Sequence, residues 1–155
     1  MYLPCLVGAS NQFLLWCARP SKIGPYWQVI LETNTELAFN LIRLNAPPGT
    51  IAGPVEDAAI DDAEEELSVK FPSEYRSFLK SFGALRWPEY VCGLGNRLYP
   101  AQRVVAITKE ERYEMEPNLP GHLIPVSPDG WGNHYCLDVS QASDDRCPVV
   151  LWDHN

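Results

Sequence analysis

The run Phe71-Pro72-Ser73-Glu74-Tyr75-Arg76-Ser77-Phe78-Leu79-Lys80-Ser81-Phe82-Gly83 decides how the rest of the chain is read. Tyr75, Phe78, Leu79 and Phe82 recur at i, i+3, i+4 and i+7, which is one face of an α-helix. Pro72 suits a first turn, where its missing N–H breaks no helical bond. Gly83 is a natural stop, because glycine enters the left-handed conformation that ends many helices. Four large apolar side chains in one stripe make a core face rather than a ligand box.

Working outward toward the N-terminus, Glu56 to Leu67 places Ile60, Ala63 and Leu67 at helical spacing. The rest of that surface is carboxylate: Glu56, Asp57, Asp61, Asp62, Glu64, Glu65 and Glu66. Acids in the first turn favour the positive end of the helix dipole, and the later ones gain little from it. Glu56 is a weak cap, so Asp57 is expected in that role. The acidic side reads first as a solubilising face and second as a binding surface. A further helix is expected where Thr33 and Glu36 have capping-box spacing, with Leu37, Leu41 and Leu44 as its apolar stripe, ending at Pro47-Pro48-Gly49. Trp27, Ile30 and Leu31 begin an earlier helical stripe, and residues 1–26, punctuated by Pro4, Pro20 and Pro25, read as loop or short strand.

Beyond Gly83 the period becomes strand-like. Five short runs are expected as strands: Tyr90–Cys92, Arg103–Ile107, Leu123–Val126, His134–Val139 and Pro148–Trp152. A short charged helix is expected over Thr108–Met115. Helices first and strands afterwards give an α+β fold, a single domain in which a mainly antiparallel sheet packs against N-terminal helices. Residues 1–53 form an N-terminal extension with one or two helices, and residues 54–155 form the core.

The 155 residues are enough to bury a core, and 46 % of them are hydrophobic. A net charge of −8 argues against nucleic acid, whose phosphates need clustered Lys and Arg. It favours basic protein partners by long-range steering, and it serves solubility equally well. Cys5, Cys17, Cys92, Cys136 and Cys147 are scattered and odd in number, which fits reduced thiols in a cytoplasmic protein better than a disulfide framework. Leu3 to Cys17 is too interrupted for an export signal, and no segment has the ~20 apolar residues of a membrane span.

Motifs for chemistry are weak. Asp129-Gly130-Trp131-Gly132-Asn133 lacks the alternating oxygen ligands and closing Glu of a calcium loop, so it reads as a tight hairpin turn. Trp131 at its tip either anchors a partner or folds back on the core. His134, Cys136, Cys147 and His154 match no common zinc spacing. There is no nucleophile elbow and no phosphate-binding glycine loop. No metal, cofactor or catalytic residue is expected.

Four segments in order resemble the SUKH superfamily, also called the Smi/Knr group. They are Pro54-Val55 with the Ile60–Leu67 helix and Phe71–Leu79; Tyr90-Val91-Cys92-Gly93-Leu94-Gly95; Leu119-Pro120 through Ile124-Pro125-Val126 to Asp129–Asp138; and Cys147-Pro148-Val149-Val150-Leu151-Trp152-Asp153-His154. The resemblance implies a non-catalytic binding role. Bacterial members are similar to immunity proteins that neutralise a toxin, often a nuclease, by occlusion, and fungal relatives act as regulatory interaction modules in cell-wall control. On this basis the expected partner is a toxin domain with a basic surface. The residues expected to meet it are Asp61, Asp62, Glu65, Glu66, Asp129, Trp131 and Asp153. The family's closing C-terminal helix has no counterpart before Asn155, which leaves two readings open: a sheet face or edge uncovered and open to self-association or a partner, or a sequence that stops short of that helix.

Overall fold

The computed structural model describes residues 35–95, 102–143 and 147–153. The expectations for residues 1–26, Trp27, Ile30, Leu31 and Thr33, and those for Cys5, Cys17 and His154, lie outside the described residues. Among the described residues, four α-helices precede a three-stranded antiparallel sheet. They are α1 (Thr35–Asn45), α2 (Asp57–Leu67), α3 (Ser73–Phe82) and α4 (Val104–Tyr113), followed by β1 (Leu123–Pro128), β2 (His134–Asp138) and β3 (Val149–Trp152). The strands lie in the order β1-β2-β3, so β2 is central. The fold is α+β and a single domain, with three strands rather than five.

Helix α3 is the centre of the core. Tyr75, Phe78, Leu79 and Phe82 are all at most 1 % exposed. Tyr75 and Phe78 stack at 6.0 Å, and Phe39 of α1 meets Phe82 edge-on at 4.9 Å. The Tyr75 hydroxyl donates to the Cys92 carbonyl at 2.7 Å, which fastens α3 to the segment before α4. Gly83 ends the helix at φ 68. Ile124, Val126 and Leu137 bring the sheet into the same apolar cluster, while Leu119, Leu123 and Cys136 form a smaller one.

Four expectations need correction. Arg103–Ile107 is not a strand: α4 starts at Val104 and buries Val104, Ile107, Thr108 and Glu111, a helical i, i+3, i+4, i+7 stripe. The β-branched run favours a strand only locally, and packing of the longer period overrides it. Tyr90–Cys92 makes only an isolated bridge, in which Val91 and Leu85 exchange backbone hydrogen bonds of 3.0 and 3.1 Å. In α1 the buried residues are Ala38, Phe39 and Ile42, not the leucines, and Leu37, Leu41 and Leu44 turn outward at 45, 36 and 81 % exposure. Phe39 sets that orientation by reaching Phe82. At the start of α2, Glu56 takes the N-cap position with no side-chain cap, and Asp57 lies inside the helix.

Candidate partner-binding surface

The β1–β2 connection holds the most exposed large apolar side chain of the described residues, Trp131, at 87 % exposure. Asp129 organises this tip. Its Oδ1 accepts from the Trp131 N–H at 2.7 Å and the Asn133 N–H at 3.1 Å, and its Oδ2 accepts from Asn133 Nδ2 at 2.8 Å. Gly130 and Gly132 supply the positive φ angles, 87 and 98, that the turn requires. Partial burial opposes ionisation of Asp129, but the hydrogen bonds from Trp131 and Asn133 outweigh it and hold the carboxyl below its usual range. The loop is thus braced before any partner arrives, and the indole is presented to solvent.

The acidic helix is less available than its composition implies. Arg76 on α3 bridges Asp61 at 2.9 Å, Asp57 at 3.4 Å and Glu64 at 2.8 Å. Lys80 adds a 2.8 Å bond to Asp57, and Lys109 of α4 pairs with Glu66. The Lys80 hydrogen bond, with its charge and Arg76 contributing, lowers the Asp57 carboxyl against the opposing effect of desolvation. Among the described residues, Asp62 and Glu65 are exposed and enter no ion pair. Asp153 is exposed immediately after β3.

Glu64 does not belong to the solvated face at all. Its side chain is 1 % exposed, and it receives Lys70 at 2.7 Å, Arg76 at 2.8 Å and the Phe71 N–H at 2.9 Å. Burial works against its ionisation, but these three donors together hold the carboxyl below its ordinary value. The signal was in the sequence: Ile60, Ala63, Glu64 and Leu67 are the full i, i+3, i+4, i+7 stripe, with Glu64 at its third position.

A second buried acid follows the same rule. Glu111 ends the stripe of α4 and meets His134 Nε2 at 3.0 Å. Lys109 and Glu111 are two residues apart, so they leave α4 from different sides. One reaches α2 and the other the foot of the hairpin, which places α4 between the acidic helix and the Trp131 tip. Of the seven expected residues, Asp61, Asp62, Glu65 and Glu66 belong to α2, Asp129 and Trp131 to the β1–β2 connection, and Asp153 follows β3.

The arrangement offers no activated nucleophile among the described cysteines. Cys92, Cys136 and Cys147 are free and buried. Burial pushes the Cys92 and Cys147 thiols up to about 12, and it raises Cys136 further with help from the nearby Glu111 carboxylate. His134, Cys136 and Glu111 do converge, beside the smaller apolar cluster on the sheet face opposite Leu137, where Cys136 is fully buried. Among the described residues no group of three or more His, Cys, Asp and Glu is placed to hold a metal ion, and no helix is long and apolar enough to cross a membrane.

A protein of known crystal structure from Pseudomonas syringae pv. tomato superposes on the chain with a TM-score of 0.60 at 18 % identity, covering 77 % of this chain and 83 % of that one. At that identity the likeness concerns the fold. Residues 30–155 match the SUKH_5 family, described as SMI1-KNR4 cell-wall, and with most of its length matched the chain belongs to that family.

Proposed function

We propose that this chain is a cytoplasmic, non-catalytic immunity protein that binds a toxin domain and blocks it by occlusion. The carrying observation is Trp131, 87 % exposed on a tip braced by three hydrogen bonds to Asp129. A solvent-facing indole on a braced backbone has only its two side-chain torsions to order on binding, which fits the usual character of an interface anchor. Asp62 and Glu65, exposed on α2 and outside its ion pairs, supply negative charge suited to steering a basic partner rather than holding it.

Co-expression with any toxin-like protein encoded beside this chain, followed by growth measurement and co-purification, tests this reading. Growth rescue and a stable complex are expected, and failure of both sinks it. Within a complex, Trp131→Ala is expected to weaken binding by about 2 kcal/mol or more, roughly thirtyfold, by calorimetry. The same substitution should shift unfolding stability by less than about 0.5 kcal/mol, because the side chain contributes little to the core. Asp62→Lys with Glu65→Lys should lower the association rate and flatten its salt dependence while leaving dissociation nearly constant. Unchanged association kinetics would remove the acidic helix from the encounter.

The family description, SMI1-KNR4 cell-wall, favours a second reading, a regulatory or scaffold module with a different partner. A chain that binds its partner through Trp131 without inhibiting it, and whose gene has no toxin-like neighbour, would point there.

A further inference from the structure

A cleft lies where the 49–52 segment runs beside Ala84–Arg86. The Arg86 N–H donates to the Thr50 carbonyl at 2.9 Å and the Ala52 N–H to the Ala84 carbonyl at 3.1 Å, on either side of the Ile51–Leu85 bridge. Residues 49–52, Ala84, Arg86 and Gln102 line about 130 Å³ of free volume. Gln102 is held in place by its carbonyl, which accepts the Gly93 N–H at 2.9 Å. It is only 2 % exposed, and its Nε2 is buried with no hydrogen-bond partner. A buried amide in that condition is costly, and native structures seldom leave one unanswered.

The sign of the cleft is opposite to that of the chain. Among the described residues that line it, Arg86 is the sole charged one, in a protein of net charge −8. Its guanidinium already reaches across to the Gly49 carbonyl and so sits at the rim. Ile51, Ala52 and Ala84 add methyl groups. The volume equals roughly four waters at ~30 Å³ each, enough for a carboxylate and one or two carbons. An amide side chain can turn by 180° without changing shape, so Gln102 can direct an N–H at an acceptor in the cleft.

We infer that this cleft binds a single carboxylate, set against the Arg86 guanidinium and the Gln102 amide. The carboxylate belongs either to a small free acid or to an Asp or Glu side chain of a partner protein. Either source presents the same group, and a charge-assisted bond to Arg86 supplies much of the attraction. The site does not involve the Trp131 hairpin and stands apart from the proposed toxin contact.

The test is an NMR titration of the whole chain with sodium acetate against sodium chloride at matched ionic strength. It follows the Ile51 and Ala84 amides and the Gln102 side-chain NH₂. Saturable shifts with a millimolar dissociation constant are expected with acetate only. Arg86→Gln should weaken acetate about tenfold, and Arg86→Lys should restore much of it. Gln102→Met should weaken acetate several-fold and raise Tm in acetate-free buffer, because it removes the orphaned amide. Trp131→Ala should change nothing. A short peptide with one Glu, compared with its Gln counterpart, separates the sources: tighter binding than acetate assigns the site to a partner side chain, and acetate binding alone assigns it to a free acid. Shifts that match chloride, or saturable shifts unaltered by Arg86→Gln, overturn the inference. Arg86 is exposed, so its variants carry the test even if Gln102→Met does not fold.

Discussion

Gly93→Ala is expected to leave the domain largely unfolded at 37 °C, with a loss of about 4 kcal/mol or more. A Cβ at Gly93 would lie 1.7 Å from the Gly83 carbonyl oxygen and 2.8 Å from its carbon. Both atoms are backbone, so no side chain can swing aside. Gly83 is equally confined, since a Cβ there would sit 2.2 Å from the Gly53 carbonyl oxygen. Three stretches of main chain thus pass in direct contact, one before α2, one at the end of α3 and one before α4. Separating them costs the bonds that hold Gly93 in register: Leu94 N–H to the Gly83 carbonyl at 3.1 Å, Gly93 N–H to the Gln102 carbonyl at 2.9 Å and Val104 N–H to the Gly93 carbonyl at 3.0 Å. Urea unfolding measures the loss. Gly121→Ala is the control: nothing lies within 4 Å of its Cβ, so stability should change by less than about 1 kcal/mol. Similar midpoints for the two variants would contradict the close approach.

Glu64→Ala is expected to cost about 3 kcal/mol, at the lower end for breaking a buried ion pair because Arg76 remains 25 % exposed and partly hydrated. The lost carboxylate leaves the Phe71 N–H without its 2.9 Å acceptor and removes the buried link between α2 and α3, leaving the exposed bridges to Asp57 and Asp61. Replacing Glu64 and Arg76 together by leucine should recover part of the loss, since no charge is then stranded. Glu64 also sets an acid limit. Its folded-state carboxyl lies below its ordinary value of 4.5, so its contribution is complete above that pH. The contribution then disappears as the pH falls through the lowered folded value. Thermal unfolding followed from pH 7 to pH 3 should therefore show a steeper acid decline in the native chain than in Glu64→Gln. Parallel declines would show that other carboxyls dominate.

The sequence showed the helices more clearly than the sheet. The Tyr75–Phe82 stripe is long, strictly periodic and closed by Gly83, so local pattern and tertiary packing agree. Val104–Ile107 was legible only as a β-branched run, because the helical period emerges once Thr108 and Glu111 are admitted as buried. The same preference for apolar letters hid Glu64, whose position on the stripe is that of a core residue. It also misdirected α1, where three leucines outweigh one phenylalanine by count yet Phe39 finds the aromatic partner. The stripe marks Glu64 as facing the core, but what satisfies its charge there shows only in its donors. Lys70, Phe71 and Arg76 lie 6 to 12 positions further along the chain, beyond any single-helix window. At the hairpin, Asp129, Gly130 and Gly132 announced the turn. Whether Trp131 faced solvent depended on how the turn was braced, which the spacing alone leaves open.

That bracing has an evolutionary consequence. The hydrogen bonds of the tip run from backbone and Asn133 to Asp129, and none uses the indole ring. Position 131 can therefore accept other side chains while the loop keeps its shape, whereas Gly93 and Glu64 tolerate almost no replacement. Descendants of this chain can change what they recognise by single substitutions at the tip, each selected on its binding alone, with the ancestral fold carried along unaltered.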